Sequence, residues 1–431
     1  MTQYEQLYQQ KLVTMPQALD LIHSGDVIGV AAAALEPIAI LNQLHTIADR
    51  IDDVTVLFGL SFHDYPFVSD PAYRDKFHNI YSFFSKAARE AHKRHQATFS
   101  PAHMHQGMYR RGRAYPVTVF VGTATPMDEH GYVRLSLSLQ YEREQIEMAD
   151  RVILEINPNL PLVGGETELH IRDVDAVVEV DRPVPTAKPA PLTDVDLEIG
   201  RNVASLVPDG ATIQLGIGSI PDAVGRAFTN KHDLGVHTEM LTSCIADLAD
   251  AGVVTNRKKT LHKGKIVSAF AYGDEHLYRM MHNNPSVMLM PSSYVNNPNI
   301  VAQNDNMYSI NTCLSVDLTG QVASETIGPM QFSGSGGQND TASGAIHSRG
   351  GHSIIALHST TKDHKSKITA NLALGTVVTL SRNNVDYIVT EYGIADLCGR
   401  TIRERVDRLI AIAHPDFRGE LRREAEQYQL W

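Results

Sequence analysis

The sequence predicts an α/β protein of two similar domains, each built on a mostly parallel sheet, and three observations carry that prediction. Helical and strand patterns alternate through both halves of the chain. A proline-dense segment, "DRPVPTAKPAPLTD" (181–194), separates the halves. A strand–loop–helix pattern near the start of one half resembles another near the start of the other.

Taken in order, "LIHSGDVIGVAAAALEPIAIL" (21–41) has an apolar pair, a turn ending at Gly25, a strand, and a small-residue loop with Pro37 before a helix. "YEREQIEMAD" reads as a helix leading into "RVILEIN", a continuous apolar run suited to a strand buried on both faces. The segment 181–194 has prolines at 183, 185, 189 and 191 and little to pack, as an exposed linker does. We expect the N-terminal domain over 1–185 and the C-terminal domain over 195–431. "LVPDGATIQLGIGSIPDAV" (206–224) repeats the first pattern, with Gly210 and Pro221 in the corresponding places. Duplication and chance similarity of two strand–loop–helix units both explain the likeness. Strands follow at "GHSIIALHS" and "VDYIVTEYG". Ile402, Val406, Leu409 and Ile410 have helical spacing, and "HPD" is expected to stop that helix.

Composition narrows the function. With 431 residues the chain can bury large cores, and 43% hydrophobic and 20% charged content are those of a globular protein. A formal charge of -11 argues against nucleic acid as a general partner, since phosphate neutralisation needs excess Lys and Arg. Cys244, Cys313 and Cys398 lie far apart with no CxxC pair, which suits a reducing cytoplasm. The polar start, "MTQYEQLYQQKLV", does not read as a signal peptide. The longest apolar stretch is interrupted by Glu36 and Pro37, so no membrane span is expected.

Three places have the residues for chemistry. In "QLGIGSIPDAV" a strand ends at Gly216, and Gly216-Ile217-Gly218-Ser219-Ile220 leads into a helix beginning near Pro221. Such a loop lets backbone approach a ligand and presents free N–H groups to an anion or developing oxyanion, although a plain glycine connection has the same pattern. "SGSGGQNDTASGAIHSRGGHS" (333–353) is dense in glycine, as loops that wrap a ligand are. It lacks the Gly-Lys-Ser/Thr of a Walker loop and the context of a dinucleotide site. Glu239, in "GVHTEM", follows the first loop by a helix and a turn, which in an α/β sheet brings both to one carboxyl edge. A solvated surface glutamate is the plainer reading. "HMH" (103–105) has no accompanying ligand set, so we expect no metal. No Gly-x-Ser-x-Gly elbow marks a serine hydrolase.

"DGATIQLGIGSIPDAV", "LGVHTEM", "GQVASETIG", "SGSGGQND", "GAIHSRGGHSIIALHST" and "VDYIVTEYGIADLCGR" together resemble the acetyl-CoA hydrolase/transferase branch of the class I CoA-transferases. Within it the likeness is to 4-hydroxybutyrate and butyryl-CoA:acetate CoA-transferases. The match is dense over about 196–425 and thinner before it. The resemblance implies two open α/β domains of the CoA-transferase type with the active site at their interface, and a homo-oligomer. It implies Glu239 as nucleophile, a CoA-contacting loop at Gly216 to Ile220, and further CoA contacts at Leu314 and Gly337. Coenzyme A and acyl-CoA are then substrates, with no tightly bound cofactor, and small carboxylic acids are the partners.

The implied chemistry is a ping-pong exchange through a glutamyl-CoA thioester. An acyl-CoA hydrolase using the same glutamate is one rival, and a non-catalytic CoA-binding protein is another. Some residues depart from the family pattern. Leu241-Thr242-Ser243-Cys244 replaces the more usual Ser-Asp-Gly turn, and Thr341 stands where many relatives have phenylalanine. "MYRRGRAYP" (108–116) offers Arg110, Arg111 and Arg113 as candidates to hold a second carboxylate of a succinate- or itaconate-like acid, or as a basic surface loop.

Overall fold

A computed structural model describes residues 2–188 and 191–430. By internal contacts the chain divides into two compact units. Met1–Ala187 and Ala269–Tyr294 form the first; Lys188–Ser268 and Val295–Trp431 form the second. The return of 269–294 to the first unit has no linker signal in the sequence. Of the proline-dense segment, Pro189 lies outside the described residues. Its first half is tied down rather than loose: the Tyr278 hydroxyl donates to the Pro185 carbonyl at 2.7 Å, and the Ala187 N–H donates to the Gly273 carbonyl at 2.8 Å. Extended, proline-rich chain has free carbonyls, and here they find donors within the first unit.

The first unit holds a seven-stranded sheet. Its strands are β1 (Val27–Val30), β2 (Val54–Phe58), β3 (Phe77–Tyr81), β4 (Ala97–Phe99), β5 (Val119–Ala124), β6 (Arg151–Ile156) and β7 (Ala176–Glu179). They lie in the order β4-β3-β2-β1-β5-β6-β7, all parallel. The apolar run of β6 is buried almost throughout, as a strand covered on both faces requires. Aromatic rings of Phe58, Tyr65, Phe67, Phe77, Tyr81 and Phe84 fill the larger core.

The second unit has β8 (Thr212–Leu215), β9 (Gly235–Leu241), β10 (Met307–Thr312), β11 (His352–Ala356), β12 (Tyr387–Thr390) and β13 (Gly393–Asp396). Within an eight-stranded sheet that continues past β9 their order is β9-β8-β10-β11-β12-β13, with the neighbouring pairs from β9 to β12 parallel and the closing β12–β13 pair antiparallel. In both sheets the chain starts in the middle, winds one way, then returns to wind the other. The reversals fall between β1 and β5 and between β8 and β10, and sheets of this kind bind ligands outside the carboxyl ends of such strands.

The repeat read from the sequence extends to backbone detail. Gly25 and Gly210 both have positive φ, 80° and 76°, and their N–H groups bond the carbonyls of Asp52 and His232. The residues that follow those acceptors, Asp53 and Asp233, are both left-handed, at 57° and 56°. Val27 pairs with Thr55 as Thr212 pairs with Gly235. After the central strand, Ala31 and Gly216 donate to Val121 and Ile310, and Ala33 and Gly218 both have positive φ. Coincident left-handed positions at matched register are what duplication produces.

Two expectations about helices change. "HPD" opens a helix instead of merely ending one: Ile402–Ile412 stops before it, and Pro415–Gln427 starts in it with His414 as cap. The glycine-dense stretch is no continuous loop, since Gln338–His347 is a helix. Gly344 lies inside that helix because a Cβ there would come within 2.4 Å of Val301 Cβ. Among the described residues no helix is long and apolar enough to cross a membrane.

Gly344→Ala is therefore expected to destabilise the protein by about 1–3 kcal/mol through overpacking, although alanine is the better helix former. Urea denaturation measures the difference.

Candidate active site

The motif "HTEM" lies in β9, so Glu239 belongs to a strand and not to a loop. Side chains alternate across a strand, which puts His237 and Glu239 on one face and Thr238 on the other. The His237 Nε2–H donates to the Val295 carbonyl at 2.8 Å. The next residue, Asn296, donates from Nδ2 to Glu239 Oε2 at 2.8 Å. The two contacts fasten segment 295–296 along the strand. On the opposite face the Thr238 hydroxyl reaches the Leu215 carbonyl, the last of β8. The motif thus ties the acid to the strand from which the glycine loop leaves.

Further back on β9, buried polar side chains bond both sides of Val236. Its N–H donates to Asn256 Oδ1 at 2.8 Å, and its carbonyl accepts from Lys259 Nζ at 2.7 Å. Lys259 is 3% exposed, and a second bond goes to the Lys265 carbonyl. Burial lowers its ammonium to about 7. Gly235 is required beside it, because a Cβ would lie 2.3 Å from Lys259 Cγ. Burial, with the Lys259 charge adding to it, also lowers His237 to about 3, so that imidazole is neutral.

Glu239 keeps part of its surface open, yet protein atoms crowd it. Loss of hydration pushes its carboxyl up to about 7. The Asn296 amide and the Gly337 N–H, which bond the ionised form, oppose the rise, while the Asp340 carboxylate adds to it. Gly337 touches the acid so closely that a Cβ there would come within 1.9 Å of both Glu239 Oε2 and Asn296 Nδ2. Glycine here answers a need for close approach, since its φ of -94° is ordinary.

The loop after β8 differs in one respect from its sequence reading. The Gly216 N–H already donates to the Ile310 carbonyl at 3.0 Å, continuing the sheet, so it is no free oxyanion donor. The exposed turn is Ile217-Gly218, and the helix begins at Ser219 (Ser219–Ala227), with Gly218 as cap at a φ of 113°. Ser219 Oγ donates to Asp196 Oδ1 at 2.8 Å, and His358 Nε2 meets the same oxygen at 2.8 Å. Burial works to raise the Asp196 carboxyl, but bonds from Thr193, Ser219 and His358 outweigh it and hold it near 2. The ionised Asp196 thereby anchors the start of the helix. The Ile220 side chain is core, and the Leu314 N–H is paired with Ala323. Leu314 stands just beyond β10, at the same edge.

The three arginines divide. Arg110 and Arg113 are exposed and bond within their own helix, to Gln106 and Tyr109. Arg111 is 4% exposed, stacked 4.6 Å over the Tyr141 ring, with Nη1 and Nη2 unpartnered. One trio with ligand-type spacing, His364, His414 and Asp416, involves the cap of the last helix.

A family model described as the acetyl-CoA hydrolase/transferase N-terminal domain matches residues 1–187. The corresponding C-terminal domain model matches residues 273–425. The 4-hydroxybutyrate coenzyme A transferase of Clostridium kluyveri is 41% identical over 98% of this chain and 99% of its own. The succinyl-CoA:cyclohexane-1-carboxylate CoA transferase of Geobacter metallireducens is 40% identical over 97% and 95%. The crystal structure of RipA from Yersinia pestis is similar with a TM-score of 0.93 and 34% identity over 100% of both chains.

Two measurements check the electrostatics. Asn296→Ala removes a bond to the ionised acid, so the Glu239 carboxyl should titrate above about 7, as seen by carboxyl infrared or NMR titration. The native carboxyl ionises later than its ordinary value of 4.5, so the folded state binds the extra proton and stability falls as pH rises from 4.5 to about 7. Glu239→Gln lacks that loss, and its Tm relative to the wild type should be higher at about pH 8 than at about pH 5.

Proposed function

The chain belongs to the acetyl-CoA hydrolase/transferase family, and we propose that it is a CoA-transferase moving coenzyme A from an acyl-CoA to a small carboxylic acid through Glu239. The observation that carries this reading is the Glu239 carboxylate itself, partly stripped of water and aimed by Asn296 and Gly337.

Glu239 attacks the thioester carbonyl, and the tetrahedral adduct expels the CoA thiolate, leaving an acyl–glutamyl anhydride. The thiolate, still held by the rest of CoA, attacks the glutamyl carbonyl and releases the donor acid. Glu239 then carries CoA as a thioester. The acceptor carboxylate attacks that thioester, and the same two displacements in reverse give the new acyl-CoA and free Glu239. One thioester replaces another, so no ATP enters.

A carboxylate in water is a weak nucleophile. Desolvation raises its basicity, and a value of about 7 still leaves the ionised form available near neutrality. The fixed amide bond orients the attacking oxygen. Oxyanion donors are assigned to the N–H groups of Ile217 and Gly218, each contributing about 3–4 kcal/mol in sites of this kind. Gly216 to Ile220, Leu314 and Gly337 are the proposed CoA contacts. The pantetheine arm is assigned to the 333–337 stretch, and the remote nucleotide supplies binding energy used at the reacting carbon.

For an acceptor with a second carboxylate, such as succinate or itaconate, Arg110, Arg111 and Arg113 are the candidates, and of these Arg111 has Nη1 and Nη2 without a hydrogen-bond partner while its Nε bonds the Gly107 carbonyl. A cytoplasmic location is supported by three free thiols. A homo-oligomer is supported by exposed apolar side chains in neighbouring turns, Ile327, Met330, Leu374, Val377 and Val378, which need cover.

Trapping decides the central step. Hydroxylamine added during incubation with an acyl-CoA should convert Glu239 to its hydroxamate, located by peptide mass spectrometry. Glu239→Gln should neither form the adduct nor turn over. A hydrolase would release thiol at the same rate with or without an acceptor acid and form no new acyl-CoA. The acid limb of kcat/KM should fall near pH 7. Arg111→Met should raise KM for dicarboxylates and leave that for acetate unchanged.

A further inference from the structure

Four uncharged polar side chains lie buried together between β8, β10 and the helix Gln338–His347: Gln214, Ser309, Asn311 and Thr341, none more than 8% exposed. They satisfy one another. Asn311 Nδ2 donates to Ser309 Oγ at 3.0 Å and to Gln214 Oε1 at 3.2 Å. Ser309 Oγ donates to Thr341 Oγ1 at 2.9 Å. Thr341 Oγ1 donates to the Gly337 carbonyl at 3.0 Å. At the other end, Asn311 Oδ1 lies 3.6 Å from where a Gly216 Cβ would stand. The cluster therefore touches both glycine positions of the site.

A threonine that bonds the carbonyl four residues back is common in helices and by itself has only a local effect. Thr341 differs because its hydroxyl also accepts from another element. Ser309 comes from the sheet, so the hydroxyl is a fixed link between β10 and the residue that presses on Glu239. Interior polar networks of this kind hold their members in one arrangement when every group is satisfied. An aromatic residue at position 341, where the family resemblance leads one to expect phenylalanine, could not make that link.

We propose that Thr341 is a positioning residue, and that the Asn311–Ser309–Thr341 chain of hydrogen bonds sets Gly337 against Glu239 for the transfer reaction. Its action runs through Gly337, and it touches no substrate. The proposal rests on Glu239 as nucleophile, and the variants below separate the two ideas.

Thr341→Val keeps the shape and removes the hydroxyl. We expect kcat to fall roughly 10- to 100-fold, the loss that small misplacements of a reacting group produce. KM for the acyl-CoA should change far less than kcat. The acid limb of kcat/KM should move to higher pH, because a looser Gly337 N–H stabilises the Glu239 anion less. Thr341→Ser should restore both. Should Thr341→Val fail to fold, Ser309→Ala breaks the same chain one link earlier and is expected to show the same two changes. A folded Thr341→Val or Ser309→Ala enzyme with wild-type kcat and an unmoved acid limb overturns the proposal. A fall in Tm alone, with normal turnover per folded molecule, also overturns it. If Glu239→Gln stays active, the nucleophile assignment fails instead.

Discussion

The site depends on one unfavourable placement: a carboxylate held where water cannot fully hydrate it. Burial by itself would keep Glu239 protonated and inert. Two donors, Asn296 Nδ2 and the Gly337 N–H, return enough stabilisation for the anion to persist near neutrality. Both are neutral groups. An ammonium or guanidinium in their place would hold the anion more firmly and weaken its attack on carbon, since nucleophilicity falls with basicity. Among the described ion pairs none involves Glu239, and the Asp340 carboxylate repels its charge. The surroundings therefore keep the acid reactive.

Much of the second unit serves that balance. Lys259 and Asn256 fix the beginning of β9, His237 fixes its middle, and Thr238 joins it to β8. Asp196 secures the helix that follows the glycine turn. All are buried or half-buried and hydrogen-bonded, which is how a reactive group is kept from relaxing toward solvent. The close-packed glycines complete the arrangement. Gly235, Gly337 and Gly344 each occupy a place where one carbon more would meet a neighbour.

The sequence read well where a pattern had one physical meaning. The segments at β6, β8, β11 and β12 read as strands because short stretches containing Val, Ile, Thr or Tyr, bounded by glycine or polar turns, suit a strand better than a helix. The glycine loop after β8 and the acid of "HTEM" are legible as a pair because the carboxyl ends of neighbouring parallel strands share an edge. Asn296 was not legible. It lies 57 residues from Glu239 in an asparagine-rich turn whose composition predicts only a turn. The helix at Gln338–His347 is hidden because the glycines before it read as a loop and Gly344 within it opposes helix formation, being there for packing against Val301. Free donors at Gly216 were expected, but the sheet runs one residue further than the glycine suggested. The bond between Thr341 and Ser309 leaves no local signal, since the two residues lie 32 apart in sequence.

The two units share a frame but differ at one matched strand position. Matched register puts Gly59 in the first unit where Glu239 stands in the second, and a side chain there would run into Gln140 and Ala32. The turn after β1 is likewise closed from within, its Ala32 N–H taken by the Glu142 carboxylate. A turn whose N–H is already paired and a turn left open tolerate different changes, so natural variation should accumulate unevenly between equivalent positions. Comparing substitutions at the 31–33 turn with those at 216–218 would show how far the two halves have parted in what each can bear.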